Sequence, residues 1–423
     1  MTSIQPFSHA SSMKHSRSLI LASVATALIV GCSSEEQAKE TDISFPPSVA
    51  GAGSAEPHLA KSTEGAVVMS WLEPSGDGVA LKWSQMEDTK WSDPVTVASG
   101  SNWFVNWADF PSVEPINGDL WAAHWLVRHP DGTFAYDVAI AISEDGGQTW
   151  SDPVMPHQDG TPTEHGFVSL FPTEYGVTAL WLDGRNMQPS DDGHGHGGMT
   201  LRSAVIGRDG DVTRKTVVDN LVCDCCQTDV ALSAAGPLAV YRNRTEDEIR
   251  DIYVARFENQ QWSDGVPVAQ DGWEIAGCPV NGPAIDALES EVAVTWFTAA
   301  NNETKVRFAR SSDAGKTFGD AIDIATDRPI GRVDTALLGD GSALVSWLRS
   351  ADGSEGEICI RRVMADGELS PELVVATTAS GRMSGFPQMV VRDDSVVLAW
   401  TDVGADSTAV RTAIVDLNSL IDM

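Results

Sequence analysis

From about residue 55 onward the chain is written in short apolar runs cut by Gly, Asp, Asn and Pro turns. Runs of that length belong to strands, and no stretch of useful length carries a helical period. The runs recur as a unit. A first strand opens on small or polar residues around Pro57, Phe110, Phe167, Thr228, Gly282, Asp334 and Pro387, at intervals of 52 to 61 residues. A second ends on an aromatic in register: Trp71, Trp125, Trp181, Tyr241, Trp296, Trp347 and Trp400. A third follows, then a turn and a short fourth. Repetition at a fixed period outweighs length as a guide to domain number, and four strands per unit describe a propeller blade. The expectation is an all-β chain, a β-propeller of four-stranded antiparallel blades, with seven blades favoured over six. The seventh repeat stops one strand short near Ile421, and residues 43–49 are expected to supply that strand and close the ring.

The segment before the repeats changes where the protein is expected to work. Lys14, His15 and Arg17 precede an apolar run at residues 19–30 that ends in Ile29-Val-Gly-Cys32. The run is too short to remain as a spanning helix and reads as an export signal. The small residue before Cys32 resembles the lipobox of bacterial lipoproteins, which implies cleavage and acylation of Cys32. The expected layout is a signal peptide at 1–31, a polar tether at 32–42 and one propeller domain at 43–423. Ser33 after the cysteine resembles lipoproteins sent to the outer membrane, so a membrane partner is expected through the lipid, facing periplasm or surface. The 28 basic and 60 acidic residues give a formal charge of −32, and loss of 1–31, which carries Lys14 and Arg17 but no acid, makes it −34. Such a surface repels nucleic acid and anionic lipid.

Two turns carry a specific pattern: Ser143-Glu-Asp-Gly-Gly-Gln-Thr-Trp150 and Ser311-Ser-Asp-Ala-Gly-Lys-Thr-Phe318. An Asp side chain there caps backbone N–H groups, and Gly takes a positive φ. The pattern resembles the Asp box, or BNR repeat, of the sialidase superfamily, which implies a sialidase-like propeller over nearly the whole mature chain. It does not carry the sialidase catalytic set across. The family's first arginine belongs to an Arg-Ile-Pro motif where this chain reads Ala55-Glu-Pro-His58, and the last repeats hold no tyrosine.

In a propeller, the segments leading into each first strand and out of each second strand meet at one mouth of the channel. Three of the six cysteines, Cys223, Cys225 and Cys226, lead into the fourth blade, Cys278 into the fifth and His165 into the third. Thiols and an imidazole from adjacent blades suit a soft or borderline ion, copper first and zinc second. Two disulfides among the four cysteines are the competing reading, and a thiol nucleophile the third. His194 and His196, in the Gly-rich loop at 188–198, are candidate ligands on an arm beside the cysteine blade. Acids Asp109, Glu164 and Asp183, with Tyr241 and the arginines Arg185, Arg242, Arg244, Arg332 and Arg349, are the candidates for an exo-acting glycosidase of sialidase type. Convergent guanidinium groups suit a carboxylate, while pairing with neighbouring acids is the alternative. Ligand binding at the mouth, glycoside hydrolysis and a protein-interaction scaffold are the three functions the sequence supports.

Overall fold

The computed structural model describes residues 42–420, apart from 131, 133 and 188–196. The signal segment, Cys32, His194 and His196 lie outside the described residues. Seven antiparallel sheets follow one another along the chain, and each contains one repeat. In the sixth, Pro329–Leu337, Ala343–Ser350, Glu355–Val363 and Leu373–Ala379 form an ordered meander. Blade 2 departs from that plan: it has three strands, and its fourth is reduced to a bridge between Ile140 and Val154. The seventh blade is completed, as expected, by the segment just before the first repeat. Ile43–Ser44 pairs with Thr408–Asp416, Ile43 opposite Val415, and Ser48 Oγ donates to the Val410 carbonyl at 2.7 Å.

The aromatics that end the second strands are buried, with Trp71, Trp181, Trp296 and Trp347 at 2% exposure or less, and they fill the gaps between neighbouring sheets. Tyr241 is one of these pillars. Its hydroxyl donates to Asp219 Oδ2 at 2.7 Å inside the packing of blades 3 and 4, so it does not stand at the mouth as expected.

The inner strands are latched to one another by polar side chains. Asp229 accepts the Ile285 N–H at 2.9 Å, Asp286 the Leu337 N–H at 2.7 Å and Asp334 the Met389 N–H at 2.6 Å. His58 Nε2 meets Glu114 Oε1 at 2.5 Å between blades 1 and 2. Each of the three aspartate latches gives a backbone N–H on the next inner strand a partner.

The two Ser-x-Asp-x-Gly-x-Thr turns are built alike. Asp145 accepts from the Thr149 N–H at 2.8 Å and the Thr149 hydroxyl at 2.6 Å, and Asp313 accepts the same pair from Thr317. These bonds hold the Asp145 carboxyl down at about 2, Thr149 contributing most. Gly147 sits at φ +81°, and a Cβ there would lie 2.9 Å from both Trp83 and Trp121.

Candidate functional site

Three inner strands open with the same distortion. Register shifts fall between Ala55 and His58, Gly166 and Ser169, and Gly331 and Asp334. At these bulges Glu56, Phe167 and Arg332 hold positive φ values of 57°, 53° and 54°. Left-handed backbone at a non-glycine residue is costly and gathers where a side chain has to be re-aimed. All three bulges lie at one mouth of the channel. Below them runs a cavity of about 520 Å³ lined by the inner strands of all seven blades, with Asp109, Phe110, Phe167, Gln227 and Phe386 among its walls.

Asp109 is the chemical centre of this mouth. It is 2% exposed, and Oδ1 accepts the Phe167 N–H at 2.7 Å across the blade 2–3 seam. Burial pushes its carboxyl up to about 7, with the Phe167 N–H and the Tyr136 phenol pulling the other way. Tyr136 is fully packed beside it, its ring stacked on Phe104 at 4.1 Å, and burial followed by the Asp109 and Glu164 charges raises its phenol well above the ordinary range. Burial, then the Asp224 and Asp109 charges, pushes Glu164 up to about 8. Glu56 is raised by burial and by Asp109, and its N–H donates to Thr401 Oγ1 at 3.0 Å, which ties blade 1 to blade 7. Gly166 makes room for this cluster: a Cβ there would stand 2.0 Å from Asp109 Oδ2 and 2.7 Å from Tyr136 Cε2. Over the rim, Trp107 stacks on Phe386 at 5.9 Å, with the Arg332 guanidinium 4.8 Å from the Trp107 ring.

The candidate arginines are engaged by the protein itself. Arg185 grips Asp183 through Nε at 2.7 Å and NH2 at 2.6 Å and reaches Asp159 at 3.0 Å. Arg242 is 2% exposed and donates to the carbonyls of Asn281, Arg250 and Phe297, pinning blade 4 to blade 5. Arg244 is held by Asp224 and Glu248, Arg349 by Glu357 and Glu372. Arg332 donates to Ser384 Oγ at 2.6 Å and to the carbonyls of Gly385 and Gly381. Asp183 is unexposed and takes four donors, from Trp181, the Arg185 backbone and the Arg185 guanidinium. Against the pull of burial, these donors, Arg185 foremost, lower its carboxyl. Asp183 is therefore an orienting group for Arg185 rather than an acid or base.

The cysteines do not lie along an extended strand. A turn at Asp224 and Cys225 brings Cys223 and Cys226 together, and the four sulfurs pair as Cys223–Cys226 and Cys225–Cys278. Cys359 is buried and unpaired, and burial pushes its thiol up to about 12. Paired sulfurs present no thiolate to a metal. The contacts of His165 lie elsewhere: Nδ1 is 3.3 Å from the Tyr136 carbonyl and Nε2 is 3.3 Å from Asp159 Oδ2. Its ring stacks on His157 at 3.8 Å.

Four desolvated carboxyls give a pH signature. Asp109 and Asp229 are raised to about 7, Glu164 and Asp334 to about 8, with burial the largest cause in each. An acid whose folded pKa lies above its unfolded value stabilises the fold at low pH, and that contribution is lost as pH rises through the folded value. His124 and His157, lowered by burial to about 3, act oppositely, but only below their unfolded value near 6.5. Between pH 6.5 and 8 the acids act in the same sense as His58, which, against the pull of burial, the Glu114 carboxylate holds above its ordinary value. Thermal melts are expected to show Tm falling across that window, less steeply in Asp334→Asn; a Tm that rises would contradict the raised carboxyls.

No family model and no curated protein sequence matches the chain. Solved structures do. The polysaccharide lyase Uly1 superposes with a TM-score of 0.50 at 10% identity, over 91% of this chain and 94% of its own. An α-L-arabinanase from Penicillium chrysogenum gives 0.46 at 12% identity, over 89% and 97%, and a NanB sialidase from Streptococcus pneumoniae gives 0.45 at 12%, over 87% and 69%. At such identities the likeness is one of fold. By its own sheet order this chain is a seven-bladed propeller, and its likeness to Uly1 is one of fold alone.

Proposed function

We propose that the protein cleaves a glycosidic bond by general acid–base catalysis at the channel mouth. The supporting observation is a pair of charge-coupled carboxyls, Asp109 and Glu164, both raised by burial, with Asp109 on the wall of the channel cavity. Groups whose environments set their pKa values apart divide into base and acid. Burial holds both carboxyls up, so near neutral pH one can retain a proton for the leaving oxygen while the other, ionised, acts as base. The aromatic rim of Trp107, Phe110 and Phe386 suits the apolar face of a sugar ring. Because the five expected arginines are already bonded, recognition of a sialic acid carboxylate by an arginine cluster is not part of this reading.

The test is a panel of neutral and uronate polysaccharides, read by new reducing ends and by the absorbance of unsaturated products. Asp109→Asn should lower turnover about 10²-fold or more, and the wild-type rate should be bell-shaped in pH. Absence of turnover across the panel, or an Asp109→Asn rate equal to wild type, overturns the proposal.

A second reading keeps a soft cation at the cysteines, favoured by the Sγ atoms of Cys223, Cys225 and Cys226 lying within 4.8 Å of one another. With both bridges reduced, these and Cys278 would supply thiolates for copper or zinc. Retention of about one metal equivalent by reduced protein supports it, and none opposes it. Attachment to a bacterial outer membrane by lipid at Cys32 belongs to the same proposal. It rests on the Ile29-Val-Gly-Cys32 sequence, and the mass of the mature N-terminus tests it.

A further inference from the structure

The two bridges at the mouth differ in everything but their position. Cys225–Cys278 crosses from blade 4 to the segment leading into blade 5, spans 53 residues of sequence, and has Cys278 exposed and Cys225 half-buried. Cys223–Cys226 closes a single turn, and both of its cysteines are 1% exposed. Cys225 and Cys226 are adjacent in sequence, and the sulfurs of Cys223, Cys225 and Cys226 lie within 4.8 Å of one another. The inner bridge also has a charge beside it: Arg250, 2% exposed, points NH1 at Cys223 Sγ from 3.6 Å. Glu248 holds the guanidinium there through NH2 at 2.9 Å, and its buried Nε has no hydrogen-bond partner among the described residues. Two staples meant only to clamp loops would require neither the shared contact nor a buried cation on one sulfur.

We infer that the four cysteines form a thiol–disulfide relay, in which an external dithiol reduces the exposed Cys225–Cys278 bridge and the electron pair passes to the buried Cys223–Cys226 bridge. In the first half a thiolate of the dithiol attacks Cys278 Sγ, the Cys225–Cys278 bond breaks, and Cys225 leaves as thiolate. The second thiol of the donor attacks its own mixed disulfide, closing the donor's disulfide and releasing Cys278. Two electrons and two protons have then moved from donor to protein. In the second half Cys225 attacks Cys226 Sγ, and Cys223 leaves as a thiolate facing the Arg250 guanidinium. Cys278 then attacks Cys225 Sγ and displaces Cys226. The outer bridge is restored, the inner pair is reduced, and no further oxidant or reductant is consumed. A nearby guanidinium favours thiolate, and a better-stabilised thiolate leaves faster, so Arg250 acts as a positioning and charge-stabilising residue at the inner pair.

The relay is tested on folded protein with excess dithiothreitol, timed alkylation and mass mapping of each cysteine, with tryptophan fluorescence reporting the fold. In wild type, Cys225 and Cys278 should label first and Cys223 and Cys226 afterwards without unfolding. In a Cys225→Ser/Cys278→Ser variant the inner pair should label at least about tenfold more slowly. An inner pair that opens at the wild-type rate in that variant, or that never opens in folded wild type, overturns the relay. Arg250→Gln separates chemistry from structure: the pH at which inner-pair labelling is half-maximal should move upward, and an unmoved midpoint removes Arg250 from the mechanism.

Discussion

Gly166→Ala is expected to destabilise the fold by about 1–3 kcal/mol, the range for overpacking a filled interior, and to remove whatever activity Asp109 supports. The added methyl would stand 2.0 Å from Asp109 Oδ2, and neither partner can step aside easily. Asp109 is fixed by the Phe167 N–H, and Tyr136 is wedged against Phe104. The double variant Asp109→Ala/Gly166→Ala distinguishes this clash from a general weakness of the bulge. Removing the carboxylate should recover much of the Gly166→Ala loss, a non-additivity of roughly 1 kcal/mol or more between residues in contact. Urea unfolding of the four proteins in the cycle measures it. Strict additivity would mean that Gly166 matters for its backbone alone.

The second large effect is expected from removing the strand that closes the ring. A chain beginning at residue 50 loses Ile43 and Val49 from the flanking cores, the pairing with Thr408–Asp416, and the Ser48 bond to Val410. Two half-buried aliphatics correspond to about 3 kcal/mol, and the bare edge left behind is a template for association with other chains. Lower Tm together with concentration-dependent aggregation is expected, and a synthetic peptide covering residues 42–49 should reverse both. A truncated protein that melts like the full one would show that the strand decorates the ring without closing it.

The architecture was legible because it repeats. Seven aromatics in register and seven small-residue strand openings favoured seven blades over six, and the shortfall in the last repeat pointed to residues 43–49. The mouth was legible as a list of segments, and Asp109 and Glu164 were on that list. Burial and bulges were not legible. Nothing in the residue pattern distinguishes Arg242, sunk among three carbonyls, from an arginine facing a substrate. Glu56 stood in the very tetrapeptide that departs from the sialidase motif, yet only the positive φ at the bulge turns it toward Asp109. Tyr136 opens a third strand, a position outside both sets of mouth segments, and reaches the site because the seam between blades 2 and 3 is tight at Gly166. The pairing of the cysteines was left open by the residue pattern, and a local turn at Asp224 and Cys225 is what brings Cys223 and Cys226 together.

The closing strand also sets a clock. Ser48 meets Val410 across 362 residues, so the first piece of the propeller to emerge during synthesis has to wait for almost the last before it can pair. Contacts that distant slow folding, because loop entropy is lost before any contact repays it. Six blades can assemble while the seventh still shows an open edge, and that interval is when the chain is most exposed to misassembly. A ring built this way is closed only when its first strand has met its last.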